Sequence, residues 1–249
     1  MATLKHFTST INELLDIESF KDYAPNGLQV EGKEKLKKIV TGVSATQALI
    51  EAAIKADADA ILVHHGWFWE KEDPRIIGLK YRRLKLLMQN DISLLGYHLP
   101  LDAHPELGNN AQLAERLGIQ VEGVMDEQGV GNFGRLAEYT SLEALGEKIE
   151  ASLQRKPLLV SGGDHAIRRV AWCSGGAQGW INKAVDAGVD AFISGEISEH
   201  TVHIARESGV HYIAAGHHAT ERYGIKALGE HIAAKFGLLC EFIDIDNPA

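Results

Sequence analysis

The stretch from Ile39 to His65, IVTGVSATQALIEAAIKADADAILVHH, decides how this chain is read. Residues 39–43 form a short apolar run rich in β-branched side chains, the signature of a buried strand. Residues 45–56 repeat their apolar positions at helical spacing, and residues 60–63 are a second apolar run. Strand, helix and strand in this order form a βα unit feeding a largely parallel sheet. The two histidines then fall at the carboxyl end of a strand, where such sheets place ligands.

Working outward, the same texture continues and then repeats. A basic-faced helix is expected over residues 77–90, a strand over 92–97, and a helix over 109–117 stopped by Gly118. Gly129, Gly131 and Gly134 interrupt the pattern before a strand at 136–139 and a helix from Ser141 to Leu153. From residue 167 the first pattern returns: strand 167–173, helix 177–187, strand 191–194, helix 201–208, strand 212–215, a long helix to about Phe236, and strand 239–245. Ungapped alignment of Ile39 with Val170 pairs Gln47 with Gln178, Ile50 with Ile181, Ala53 with Ala184, Ala56 with Ala187, Asp59 with Asp190, and Ala60 with Ala191. One deletion later, His98 pairs with His217 and Asp102 with Glu221. The expected fold is therefore α/β, with two similar halves related by internal duplication, residues 1–125 and 126–249.

Composition bounds what such a protein does. The 249 residues are 45% apolar and 24% charged, a globular balance. A formal charge of −9 argues against direct nucleic-acid binding, which needs clustered Lys and Arg. The basic stretches 33–38 and 80–85 read as solvated faces. No apolar run reaches membrane-spanning length, and the N-terminal residues lack the apolar core of a signal peptide. Cys173 and Cys240 sit in apolar runs and read as core residues of a reducing compartment. A cytoplasmic location is expected.

Histidine is the outlier, with twelve residues, several of them adjacent. At the end of a strand His64 and His65 can both turn into one pocket, with Gly66 supplying freedom for the bend. His217 and Glu221 are four apart and share a face if a helix begins there. Alone, either pair has an ordinary explanation. Together with Asp102, all at strand ends, they form a set of three imidazoles and two carboxylates. Such N/O donors suit Zn, Fe, Mn, Co or Ni better than Mg or Ca. Five ligands fit two divalent metal ions bridged by a carboxylate or hydroxide.

Other candidates are less specific. His98 is either a general acid/base or a residue that orients Asp102. Glu196 and His200 support the ligands or form a helix-start pair. Ser174-Gly175-Gly176-Ala177-Gln178-Gly179 follows a strand, so Gly175 and Gly176 either bind a substrate phosphate through backbone N–H groups or make a tight turn. Trp67-Phe68-Trp69 either stacks a base or packs at a subunit contact.

Asn26-Gly27-Leu28-Gln29-Val30, His64-His65, His98 with Leu101-Asp102, Ser194-Gly195-Glu196, and Gly216-His217 with Glu221 together resemble the NIF-three-like family. Its bacterial members include the YbgI-type proteins, named GTP cyclohydrolase I type 2 homologues. The resemblance covers nearly the whole chain. It implies two α/β halves with a dinuclear metal site between them, ligands His64, His65, Asp102, His217 and Glu221, and a toroidal homohexamer. The chain lacks the inserted middle domain of many members and reads His98-Leu99-Pro100 where many have Thr-Asn before Leu-Asp. Three functions are consistent with these readings. They are a metal-dependent hydrolase acting on a nucleotide such as GTP with His98 and Glu196 moving protons, a metal-binding ring with a storage or scaffold role, and a regulatory factor.

Overall fold

Ala60–His65 is buried along almost its whole length and pairs in parallel with strands on both sides. A strand buried on both faces has no polar alternation, which is why residues 60–63, AILV, read as a continuous apolar run. The computed structural model describes residues 2–249. In chain order the elements are β1 (Ala2–Thr3), α1 (Leu4–Leu14), β2 (Gly27–Val30), β3 (Lys35–Leu36), β4 (Lys38–Ser44), α2 (Gln47–Lys55), β5 (Ala60–His65), α3 (Gly78–Gln89), β6 (Ser93–Gly96), α4 (Leu99–Ala103) and α5 (Asn109–Leu117). There follow β7 (Ile119–Val124), β8 (Asn132–Thr140), α6 (Leu142–Leu153), β9 (Leu158–Val160), β10 (Ile167–Cys173), α7 (Ile181–Asp186), β11 (Ala191–Ser194), α8 (Glu199–Ser208), β12 (His211–Ala214), α9 (His217–Phe236) and β13 (Leu239–Phe242).

The first compact unit comprises Met1–Leu101 and Gly224–Asp246. Its sheet runs β13-β4-β5-β6-β2, parallel except for β2. Helix α2 starts because the Thr46 side chain accepts from Leu49 N, and it buries Leu49, Ile50 and Ala53. These pack with Val40, Ile61, Val63, Leu87 and Leu94 in one core. At the amino ends of the strands, Asp59 Oδ2 accepts from Lys37 N and Lys38 N at 2.7 and 3.1 Å.

The second unit comprises Asp102–Tyr223 and Asn247–Ala249. Its sheet runs β7-β8-β10-β11-β12-β9, with β10, β11 and β12 parallel and the others antiparallel. Trp172, Ile193, Ile213, Leu145 and Ile149 sit in its core. Asp190 Oδ2 accepts from Arg168 N and Arg169 N, each at 2.8 Å. Register aligns Val170 with Ala191 here, and Ile39 with Ala60 in the first unit.

Several elements differ from the sequence expectation. The compact units do not divide at residue 125: β7 pairs with β8 in the sheet of the second unit, and β13 joins the sheet of the first through Leu239 and Lys38. The helix expected over 177–187 is a 3-10 turn at Gln178–Trp180 followed by six-residue α7. Helix α3 is not merely basic: Leu79, Tyr81 and Met88 are at least half exposed along it. Among the described residues no helix is long and apolar enough to cross a membrane. Both cysteines are free thiols, Cys173 buried and Cys240 partly so.

Candidate metal centre

In the first unit, the carboxyl ends of β5 and β6 gather three imidazoles. One ring nitrogen from each of His64, His65 and His98 lies within 4.8 Å of the other two. His64 Nδ1 lies 2.9 Å from Tyr97 O. A carbonyl only accepts, so that bond puts the proton on Nδ1 and leaves Nε2 as the lone-pair nitrogen. His65 Nδ1 lies 3.0 Å from Ser44 Oγ. His98 Nδ1 lies 2.9 Å from Asp22 Oδ1. Burial raises the Asp22 pKa, but hydrogen bonding and charge from His98, with Asn26 and Leu99, outweigh it and hold the carboxyl below its usual value.

Gly66 has a different reason from the one its position suggested. A Cβ there would lie 2.2 Å from Gln29 Oε1, and one at Gly96 would lie 2.9 Å from Gln29 Nε2. The amide fills the space both glycines leave, accepting from Trp67 N at 2.7 Å and donating to Pro25 O at 2.8 Å. The Asn26-to-Val30 run shapes the site in this way, and Asn26 Oδ1 also accepts from His98 N at 2.7 Å. The three aromatic residues divide. Trp67 is buried and donates to Ala45 O, whereas Trp69 stands edge-on to His98 at 5.1 Å, and Phe68 is turned outward beneath Lys80.

In the second unit the carboxylates dominate. Helix α9 begins at His217, so Glu221 lies one turn along the same face, with His217 Nε2 3.3 Å from Glu221 Oε2. His217 Nδ1 lies 2.7 Å from Glu196 Oε1. Burial alone would lower the His217 pKa, but the Glu221 and Glu196 carboxylates override it and push it up to about 9. Asp102 Oδ1 accepts from Asn109 Nδ2 at 2.8 Å and from Ser174 Oγ at 3.1 Å. One oxygen of Asp102 and one of Glu221 lie within 4.8 Å of each other, and both residues are buried. Two adjacent buried carboxylates repel and lack bulk water, so a cation is the natural complement to the pair.

Gly175 serves these side chains, whereas a Cβ at Gly176 would meet Glu196 only at an ordinary 3.6 Å. Gly175 has φ +65°, and a Cβ on it would lie 2.1 Å from Glu221 Oε1 and 3.0 Å from His217 Nε2. Gly175 N already donates to Thr220 Oγ1, and Ser174 N to Asn110 Oδ1. The segment turns into the 3-10 turn at Gln178–Trp180 with the Ser174 and Gly175 N–H groups already engaged. Glu196 and His200 are not a helical pair, because α8 begins only at Glu199 with Ser198 as its N-cap. Sequence reasoning missed Asp22, Asn109 and Asn110, and read Ser174 only as the start of the glycine turn, not as a partner of Asp102. The adjacent amides Asn109-Asn110 opening α5 were the available signal; the structure buries both, and buried amides need partners.

Comparison with known proteins places the chain in a family. A protein from Pseudomonas aeruginosa is 55% identical over 238 residues, 94% of each chain, and one from Haemophilus influenzae is 56% identical over 242 residues, 96% of each; both carry the name GTP cyclohydrolase 1 type 2 homolog. The solved structure of protein ybgI superposes with a TM-score of 0.97 at 54% identity, covering all of both chains. TTHA1606 from Thermus thermophilus gives a TM-score of 0.89 at 35% identity, over 100% of this chain and 99% of that one. The model of the family Duf34/NIF3 (NGG1p interacting factor 3) matches residues 2–248, and with whole-length relatives above half identity the chain belongs to this family.

Proposed function

We propose that this protein is a metal-dependent hydrolase in which His64, His65, Asp102, His217 and Glu221 hold two divalent metal ions. The observation that carries the reading is the buried pair Asp102 and Glu221, with His217 against Glu221. Mixed imidazole and carboxylate donors without thiolates suit Zn, Fe, Mn, Co or Ni. The chemistry such ions supply is a hydroxide near neutral pH and polarisation of the bond it attacks.

The chain's own residues set the rest. Glu196 fixes the His217 ring through Nδ1 and thereby directs Nε2, as carboxylate partners of metal-binding histidines do. His98 carries the proton, receiving it at Nε2 and returning it to the leaving group. Gly175 gives the Glu221 carboxylate clearance. Tyr23 and Trp69, 5.6 Å apart and both edge-on to His98, offer flat faces beside the histidines. These faces, and the name shared by the bacterial relatives, favour a nucleotide substrate such as GTP.

We further read the chain as an internal duplication. The matching clasps at Asp59 and Asp190, the matching strand registers, and an antiparallel edge strand beside β6 and beside β12 support it. Assembly into a homohexameric ring draws support from the apolar side chains exposed at Ile76, Ile77, Leu79, Tyr81 and Met88.

Elemental analysis of gently purified protein, then a nucleotide hydrolysis panel with chelator-stripped protein as control, tests the function. Bound transition metal with turnover that disappears on stripping is the expected result. Metal without turnover of any nucleotide would leave the second reading, a metal-binding ring with a storage or scaffold role.

A further inference from the structure

We infer that Asp22 is the positioning residue for His98. It fixes the imidazole as the Nδ1–H tautomer and presents the Nε2 lone pair on the side of His64 and His65. The inference rests on the proposed hydrolase only for the use made of that lone pair.

The Asp22 carboxylate is almost wholly buried, with 3% of its side chain exposed, and every hydrogen bond to it comes from the loop that ends at α4 or from its own turn. Oδ1 meets His98 Nδ1 at 2.9 Å and Ala24 N at 3.2 Å. Oδ2 accepts from Leu99 N and from Asn26 Nδ2, both at 3.0 Å. Four donors around one carboxylate leave it no freedom to turn. An ionised carboxylate can only accept, so the nitrogen facing it carries a proton. Asn26 Oδ1 ties the His98 backbone N–H at 2.7 Å, which fixes where the ring is attached.

The ring itself is gripped on two more sides. Tyr23 stands edge-on at 5.0 Å and 74°, and Trp69 edge-on at 5.1 Å and 80°. The third neighbour is His64, 5.1 Å between centroids, with His65 at 5.8 Å. A packing role alone would be met by an apolar residue at position 22. A buried carboxylate is costly unless its bonds are specific, and here they point one imidazole nitrogen at the other histidines. His217 has the same arrangement in the second unit, with Glu196 on Nδ1, although Asp22 and Glu196 do not correspond in the repeat. Two carboxylate–imidazole pairs built from unrelated positions indicate a shared requirement for a directed Nε2.

The test uses metal-free, nitrogen-15 histidine-labelled whole protein and reads the ring nitrogens by NMR, with His98→Gln to assign the signal. In the wild-type protein His98 should carry its proton on Nδ1, and in Asp22→Asn it should populate both tautomers. In the metal-loaded enzyme, Asp22→Asn should lower kcat by roughly 10- to 100-fold, the usual effect of removing such a partner, with bound metal and KM unchanged. A wild-type proton on Nε2, or an Asp22→Asn spectrum identical to wild type, overturns the inference. So does loss of bound metal in Asp22→Asn, which would make Asp22 a support of the ligands themselves. The tautomer is read without metal, so it stands or falls apart from the hydrolase proposal. If Asp22→Asn does not fold, the wild-type spectrum alone decides.

Discussion

His217 and Glu221, one helical turn apart at the start of α9, meet at 3.3 Å through Nε2 and Oε2. With Glu196 on the other nitrogen, this pair holds the folded-state pKa of His217 at about 9, against an ordinary value of 6.5. A raised pKa contributes stability fully below the unfolded value and loses it as pH rises through the folded one. The metal-free protein should therefore become less stable as pH climbs from about 6.5 through about 9. Thermal unfolding should show the melting point falling by a few degrees, on the order of 2–5 °C, with a flatter profile in His217→Gln. Equal slopes in both proteins would remove His217 as the cause. Metal uptake should reverse the dependence, since protons compete for the same nitrogen and acid should release the ions.

Gly175 offers a way to disturb the proposed ligands without altering one. Gly175→Ala places a methyl 2.1 Å from Glu221 Oε1 and asks alanine to adopt φ +65°. The backbone cost is about 1–2 kcal/mol, and Glu221 must move. Metal affinity should fall at least tenfold by calorimetric titration, while helix content by circular dichroism stays near wild type. Unchanged affinity would show that Glu221 needs no fixed place.

The clasps at Asp59 and Asp190 test the repeat. Each carboxylate takes two successive backbone N–H groups at the start of a sheet strand, and Asp59 also takes Lys33 Nζ at 2.9 Å. Asp59→Ala and Asp190→Ala should each cost about 1–3 kcal/mol in urea denaturation, because the freed donors lose their partner. A large loss at one position and none at the other would count against equivalent roles.

Oligomerisation should be sensitive to α3. Leu79→Asp or Met88→Lys adds charge to a face that is more than half exposed in the single chain. Sedimentation velocity should shift from a ring-sized species toward a chain of 27.2 kDa. Identical sedimentation of the variants and the wild type would move the contact elsewhere.

The elements that were legible in the sequence are those whose burial is one-sided in a regular way or complete. Strands Ile167–Cys173 and Ala191–Ser194 and helix Asn109–Leu117 fall at their expected limits, the last ended by Gly118 at φ +61°. Strand Ile119–Val124 was illegible because it is an edge strand with only Ile119 buried, leaving no alternation to read. Helix Leu4–Leu14 did carry a signal, Leu4, Phe7 and Ile11 at helical spacing behind the Thr3 cap. His64, His65, His217 and Glu221 stood out as adjacent or turn-spaced pairs of donor types. Asp22 did not, because its partner His98 is 76 residues away and nothing local distinguishes it from a surface aspartate.

Strand β13 lies beside β4 with Leu239 opposite Lys38, about 200 residues earlier in the chain. During synthesis the first sheet therefore cannot be finished until nearly the whole sequence has left the ribosome. At 5–20 residues per second that is a wait of roughly 10–40 s in which β4 presents an unpaired edge. The nascent first unit is thus a client for whatever shields strand edges in the cell. Stalled chains ending at Phe236 should be cut by protease within residues 38–44, and chains extended past Phe242 and clear of the exit tunnel should resist; equal cleavage of both would show that the edge is protected by other means.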